Sequence, residues 1–266
     1  PLSINLSDED KEALAAAGSD PNRMYAPSGI QTEYDVNKIL YEKIAGAEGN
    51  FYQFSTNENA ILYQVNFTYF GSQLGDYRLK QTLNNGTVFE YAGSNMGDYR
   101  AVTKLPAPQK TQVFSGNVEY LLNDGKIGAD FSLSNYDRNL FSAVNNGDNT
   151  GYAARIFGSK TFRKNNWKGI SEFEMQHIDR RFHILDRINE VEFSRDFNLT
   201  QEFSSVTQNR LIFSFANVWK NKAELKYRMN YLNETDQYKG FKNDLNFFWK
   251  TGKFSTNGQF SYLDTK

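Results

Sequence analysis

The sequence predicts an all-β protein: an antiparallel up-and-down meander forming a transmembrane β-barrel or part of one, preceded by a small α/β-rich N-terminal region. Three observations predict it. In residues 222–232, Ala223, Leu225, Tyr227, Met229 and Tyr231 alternate with Glu224, Lys226, Arg228 and Asn230, and a strand sends successive side chains to opposite faces, so one face is apolar and the other charged. The five prolines are Pro1, Pro21, Pro27, Pro106 and Pro108. Everything after Pro108 is therefore free of the residue that cannot donate to a strand ladder, as a continuous sheet requires. Third, tight and long links nearly alternate in that proline-free half, which is how membrane barrels are connected.

The chain opens on a helix signature, with Ser7 as N-cap, Asp8, Glu9 and Asp10 in the first turn, and Ala13 to Ala17 as helix formers before Gly18. Asp35 then caps a second short helix in which Val36, Ile39, Leu40 and Ile44 fall at helical spacing. A strand fits those residues nearly as well. Ile61, Tyr63, Val65, Phe67 and Tyr69 alternate with Leu62, Gln64, Asn66, Thr68 and Phe70, predicting one strand of about ten residues. An internal repeat follows: the octapeptide from Gly71 to Arg78 (GSQLGDYR) returns from Gly93 to Arg100 (GSNMGDYR), with the hairpin signal Asn84-Asn85-Gly86 between the copies. The repeat reads either as a duplicated ligand or calcium loop using Asp76 and Asp98 or as a duplicated turn. One carboxylate per loop falls short of the six to eight oxygens calcium takes, which favours the turn.

Residues 1–105 thus form an N-terminal β-rich region with one or two short helices, 106–111 a proline-containing linker, and 112–266 the meander. Ten strands are expected there: 112–122, 126–134, 150–163, 166–178, 187–195, 198–206, 209–218, 222–232, 241–250 and 253–263. Glu172, Glu174, Glu190 and Glu192 blur the alternation in 166–178 and 187–206. Tight links are expected at 123–125, 164–166, 196–197, 219–221 and 251–252, and long ones at 135–149, 179–186 and 233–240. Strands near ten residues suit a tilted crossing of hydrocarbon, where ordinary strands run to five or six. Trp167, Trp219 and Trp249 lie at or near strand ends, where an interfacial girdle would place them.

Bulk properties exclude more than they assign. Thirty basic against thirty-one acidic residues leave a net charge of -1, so no basic excess points to nucleic acid. Without cysteine there is no disulfide, thiolate metal site or thiol nucleophile. An aromatic share of 15% favours strands over helices. The mean hydropathy of -0.66 does not argue against a barrel, which faces lipid with every second residue only. The chain begins at Pro1 with no signal peptide, which fits a removed targeting segment or a piece of a longer protein.

No catalytic, cofactor-binding or metal-binding residue emerges. His177 and His183 are six apart, with a loop-like segment between them and no neighbouring cysteine. Asp137-Arg138-Asn139 and the run from Asn145 to Asn149 read as solvated hairpin loops with Asx turns. The charged row Arg187, Glu190, Glu192, Arg195 and Asp196 reads as cross-strand pairing on an inward face rather than as an acid and base couple. No nucleophile elbow or phosphate-binding loop is present.

Several short runs carry a resemblance. Gly75-Asp76-Tyr77, Phe89 to Gly93, Gly97-Asp98-Tyr99, Leu105 to Gln109, Ser134 to Ser142, Asn149 to Ala153 and Arg187 to Phe197, taken in that order over residues 50–200, resemble the large outer-membrane β-proteins of the Bacteroidota and related Gram-negative groups. Such proteins are much longer than this chain and have no assigned catalytic residues, so the resemblance implies an envelope setting and a segment of a larger barrel, with no residue roles to carry over. The expectation is a non-enzymatic outer-membrane β-barrel protein or segment, a structural or accessory component of an export, assembly or uptake complex. Its partners would be outer-membrane lipid and other envelope proteins. Closure would draw on strands beyond these ten or on the N-terminal region, itself periplasmic or beside the barrel. The alternative is a soluble cell-surface β-sandwich module binding glycans or proteins through exposed aromatic rings.

Overall fold

The computed structural model describes residues 6–47, 49–185, 191–199, 206–220 and 222–266. It is all-β and antiparallel, and divides into two compact units: residues 1–109 with 138–146, and 110–137 with 147–266.

The first unit opens with helix α1 (Asp8–Ala17), whose Ser7 and Asp10 form a reciprocal capping box. Its other end is finished from far along the chain. Asn139, fully buried, donates from Nδ2 to the carbonyls of Leu14 at 2.7 Å and Gly18 at 2.8 Å, and the Ser142 hydroxyl donates to that of Ala15 at 2.7 Å. These are the carbonyls that a helix C-terminus leaves without partners. Replacing Asn139 by Ala should therefore lower the stability of this unit by about 2 kcal/mol, read from equilibrium unfolding of the full chain. Leu14, Ala17, Met24 and Leu105 form the core beneath the helix.

Among the described residues ten short strands complete the unit: β1 (Tyr25–Pro27), β2 (Ile30–Thr32), β3 (Tyr41–Gly46), β4 (Gly49–Phe54), β5 (Leu62–Gln64), β6 (Thr68–Tyr69), β7 (Tyr77–Leu83), β8 (Gly86–Tyr91), β9 (Tyr99–Arg100) and β10 (Val102–Lys104). They pair as β1-β10, β2-β5-β3-β4 and β6-β9-β7-β8. Two expectations are corrected here. Residues 35–44 hold no second helix; Asp35 caps a turn through Asn37 and Lys38, and the chain then enters β3. The strand expected over 61–70 is two strands in different sheets. The Ser28 hydroxyl both donates to the Asn66 carbonyl and accepts its N–H, so a side chain replaces the ladder where the chain changes sheet.

The repeat is the centre of this unit. Its two copies face each other across a pseudo-twofold: Gly75 and Gly97 exchange N–H to carbonyl bonds at 2.8 Å, and Tyr77 pairs with Tyr99. Each aspartate caps the other copy's turn. Asp76 accepts the Asn95 N–H and Asp98 the Gln73 N–H, both at 3.0 Å, and Gln73 and Asn95 have φ of 59° and 55°. The symmetry reaches further back than the octapeptide. Phe67 stacks on its counterpart Phe89, and the pairs Phe67–Tyr77 and Tyr69–Tyr99 are matched by Phe89–Tyr99 and Tyr91–Tyr77.

Tyr77 is buried, its hydroxyl accepts the Tyr52 N–H at 2.8 Å, and burial pushes its phenol up to about 12. The folded chain holds this proton more tightly than the unfolded chain, whose phenol titrates near 10. The associated stability is intact below about pH 10 and falls by about 2 to 3 kcal/mol as pH climbs to about 12. Denaturant unfolding at pH 9 and pH 12 should show that loss, reduced in Tyr77→Phe.

Among the described residues the second unit is an eight-stranded antiparallel sheet in sequential order: β11 (Lys110–Leu122), β12 (Gly125–Asp137), β13 (Thr150–Lys164), β14 (Trp167–Ile178), β15 (Gln208–Trp219), β16 (Ala223–Glu234), β17 (Tyr238–Thr251) and β18 (Phe254–Thr265). Among the described residues β11 and β18 do not pair with each other, so no closed barrel forms. Among the described residues, 191–199 and 206–207 add no strand to the sheet where strands over 187–195 and 198–206 are expected. Arg187, Glu190 and most of 198–206 lie outside the described residues, and Phe193–Asp196 is one helical turn, α2. Phe193 and Phe197 satisfy a period of two and a period of four alike, and both are buried in one cluster, which decides for the helix.

This correction regularises the links. At one end of the sheet they are 123–124, 165–166, 220–222 and 252–253; at the other, 138–149, 179–207 and 235–237. The expected long link at 233–240 is short because β16 runs to Glu234 and β17 starts at Tyr238, with Asp236 at φ 62° in the turn.

Candidate functional site

The register puts every strand of the sheet in phase. Val118, Ala129, Ile156, Met175, Leu211, Tyr231 and Phe241 are successive partners across seven strands. The next row runs Tyr120, Ile127, Gly158, Phe173, Phe213, Met229, Asn243 and Tyr262. Opposed residues share a face, so these rows build one continuous apolar surface. It is bare to solvent: Phe114 is 69% exposed, Val118 66% and Phe260 63%. Soluble proteins rarely leave so extended an apolar face open.

The surface has polar and aromatic limits. At the long-link end lie His177, Asn209 and Asn233, which are register partners, with the His177 ring bonded to the Asn209 amide oxygen at 2.7 Å. At the tight-turn end, Trp167 pairs with Trp219, Trp219 with Ala223 and Ala223 with Trp249, so all three tryptophans of the chain fall on one row.

The opposite face holds the charges. Arg155 bridges Asp130 at 3.2 Å and Glu174 at 3.4 Å on the two neighbouring strands, and its guanidinium lies 4.5 Å from the Phe157 ring. Lys126 meets Glu119 at 2.8 Å, the Ser214 hydroxyl donates to Glu172 at 2.9 Å, and Arg210 donates to Asn230 at 3.0 Å. Glu172 and Glu174, which blur the sequence pattern, sit on this face with the other charges. A cavity of about 600 Å³ lies here, lined by residues from β12 to β17, including Lys126, Arg155, Glu172, Arg228 and Asn246. In a flat sheet five inter-strand spacings separate Lys126 from Asn246 by about 24 Å. Their sharing of one cavity makes the charged face the concave one.

Part of the long link 179–207 folds onto this concave face. Phe193 and Phe197 pack with Leu199 against Leu232, Tyr238 and Leu263, which sit on the charged side or at its rim. The Tyr238 hydroxyl donates to the Phe197 carbonyl, Asp196 pairs with Lys242 at 3.0 Å, and the Arg210 guanidinium covers the Phe193 ring at 5.1 Å. Gly240 leaves the room: a Cβ there would lie 2.8 Å from the Phe197 ring. Of the expected charged row, the described Glu192 and Arg195 pair at the helical turn at 2.8 Å and Asp196 reaches Lys242, so these three do not lie on a strand face. Cross-strand pairing of opposite charges is instead carried by Asp130, Arg155 and Glu174.

The two histidines occupy different surroundings. His177 stacks on Tyr152, while the His183 ring stacks on Tyr136 at 3.9 Å and the His183 backbone N–H donates to the Ser134 hydroxyl. Among the described residues no group of three or more His, Cys, Asp or Glu could hold a metal ion. Asp76 and Asp98 spend their carboxylates on backbone N–H groups of the opposite turn. Asn139, read from sequence as part of a solvated loop, is the buried cap of α1. Sequence reasoning also missed the inward-folded turn, whose signal was the four-residue spacing of Phe193 and Phe197.

No protein family, curated protein or solved structure matches the chain.

Proposed function

We propose that the eight-stranded sheet is the wall of an outer-membrane β-barrel, or a section of one, and that the protein is a non-enzymatic structural or accessory component of an envelope export, assembly or uptake complex. The observation that carries this is the uncovered apolar face, continuous over all the strands and opposed by a concave face of paired charges. In hydrocarbon only a structure that satisfies its backbone groups internally survives, and a sheet curled with its apolar side outward does so once closed. The dimensions agree. From Asn209 to Trp219 the strand advances ten residues, about 34 Å at 3.4 Å each, and a tilt of about 40° projects that to roughly 26 Å, the height of a barrel's apolar band. Links of two or three residues at one end, and a row of indoles beside them, are further barrel features. The charged face would then line the lumen, which the α2 turn narrows. The resemblance to Bacteroidota outer-membrane proteins supports the bacterial setting.

Fractionation and electrophoresis test this. The protein should sediment with membranes, need detergent for extraction, and migrate faster unheated than boiled. Recovery from the aqueous fraction without detergent would refute it and favour the soluble sandwich.

A further inference from the structure

We infer that residues 1–109 are displayed on the outer surface of the cell, not in the periplasm; this rests on the barrel reading and adds the direction in which the wall is inserted. Chain direction carries the argument. Lys110 pairs with Asp137 and Leu122 with Gly125, so the chain enters β11 at the end of the sheet opposite the 123–124 turn. Every link at the 123–124 end is tight: 123–124, 165–166, 220–222 and 252–253. The links 138–149 and 179–207 leave from the other end, the one at which residue 109 hands over to β11. Barrels of the outer membrane keep their tight turns on the periplasmic side and their long links outside.

A second observation agrees with strand direction. Arg138–Asn146, which springs from the long-link end, belongs to the N-terminal unit, and its Asn139 and Ser142 supply the bonds that finish α1. Two segments of one folded unit thus join the sheet at one end. The pseudo-twofold turns with their exposed tips Leu74 and Met96 become part of an extracellular module, and the α2 turn narrows the outer mouth of the lumen.

The chain contains no cysteine, so single replacements report sidedness without background. Met96→Cys and Leu140→Cys probe the N-terminal unit; Asn123→Cys and Lys253→Cys probe the tight turns. All four positions are exposed. Intact cells carrying the full protein would be treated with a membrane-impermeant polymer-linked maleimide, before and after the outer membrane is permeabilised. We expect positions 96 and 140 to react on intact cells, and positions 123 and 253 at least tenfold less until permeabilisation. The reverse pattern, or protection of positions 96 and 140, would overturn the inference while leaving a spanning wall. Equal reaction of all four on intact cells would overturn the barrel reading itself.

Discussion

On the proposed barrel reading, Phe213→Arg lowers the stability of the sheet reconstituted in vesicles by about 2 to 4 kcal/mol, while Ser214→Arg, one residue further along β15, changes it by no more than about 1 kcal/mol. Phe213 sits midway across the apolar face with Phe173 and Met229 as its register partners. On that reading a guanidinium there would stand in hydrocarbon with no acid in reach on its row. Ser214 points to the charged side between Glu172 and Arg228, where an added arginine gains one partner, meets one like charge and keeps its water. Denaturant unfolding of the two variants reconstituted in vesicles measures the difference. Near-equal penalties would mean that the two faces see the same medium, which a membrane wall cannot.

Gly97→Ala should cost about 3 kcal/mol in the N-terminal unit, and Gly75→Ala about the same. A Cβ on Gly97 would lie 2.2 Å from the Tyr77 carbonyl oxygen, and one on Gly75 2.4 Å from that of Tyr99. The obstacle is backbone, so no side chain can swing aside, and the two copies must separate. Separation also breaks the paired Gly75 and Gly97 bonds and draws Asp76 and Asp98 from the turns they cap. Gly116→Ala is the contrasting case: nothing lies within 4 Å of its Cβ position on the apolar face, and a change of under about 0.5 kcal/mol is expected. Thermal unfolding of the full chain would show a lower first transition for the Gly97 and Gly75 variants only.

The contrast between the two units shows which parts of the fold the residues announce. In the meander one face of each strand is apolar and largely uncovered, so the alternation is legible through most of β11 to β18 and blurs where Glu172 and Glu174 enter β14. Legibility fails where one pattern serves two structures. Phe193 and Phe197 fit strand and turn equally, and only their burial against Leu232 separates the two. In the N-terminal unit the strands are two to seven residues long, too short for a period to establish itself. There the determinants are bonds between distant residues, such as the Ser28 hydroxyl at Asn66 or Asn139 on α1, 125 positions away from Leu14. The twofold of the repeat was partly legible: the matched glycines and aspartates are visible in sequence, but the matched rings begin four residues earlier, where Phe67 and Phe89 are framed by unlike neighbours.

What the whole account turns on is whether the uncovered face meets acyl chains. The protein carries its own probes, because Trp167, Trp219 and Trp249 share one row at the tight-turn edge of that face and are the chain's entire tryptophan complement. In vesicles of lipids brominated at graded depths, their fluorescence should be quenched most by bromines nearest the headgroups and progressively less by deeper ones. Emission that no brominated lipid diminishes would place all three indoles away from the bilayer and contradict the account.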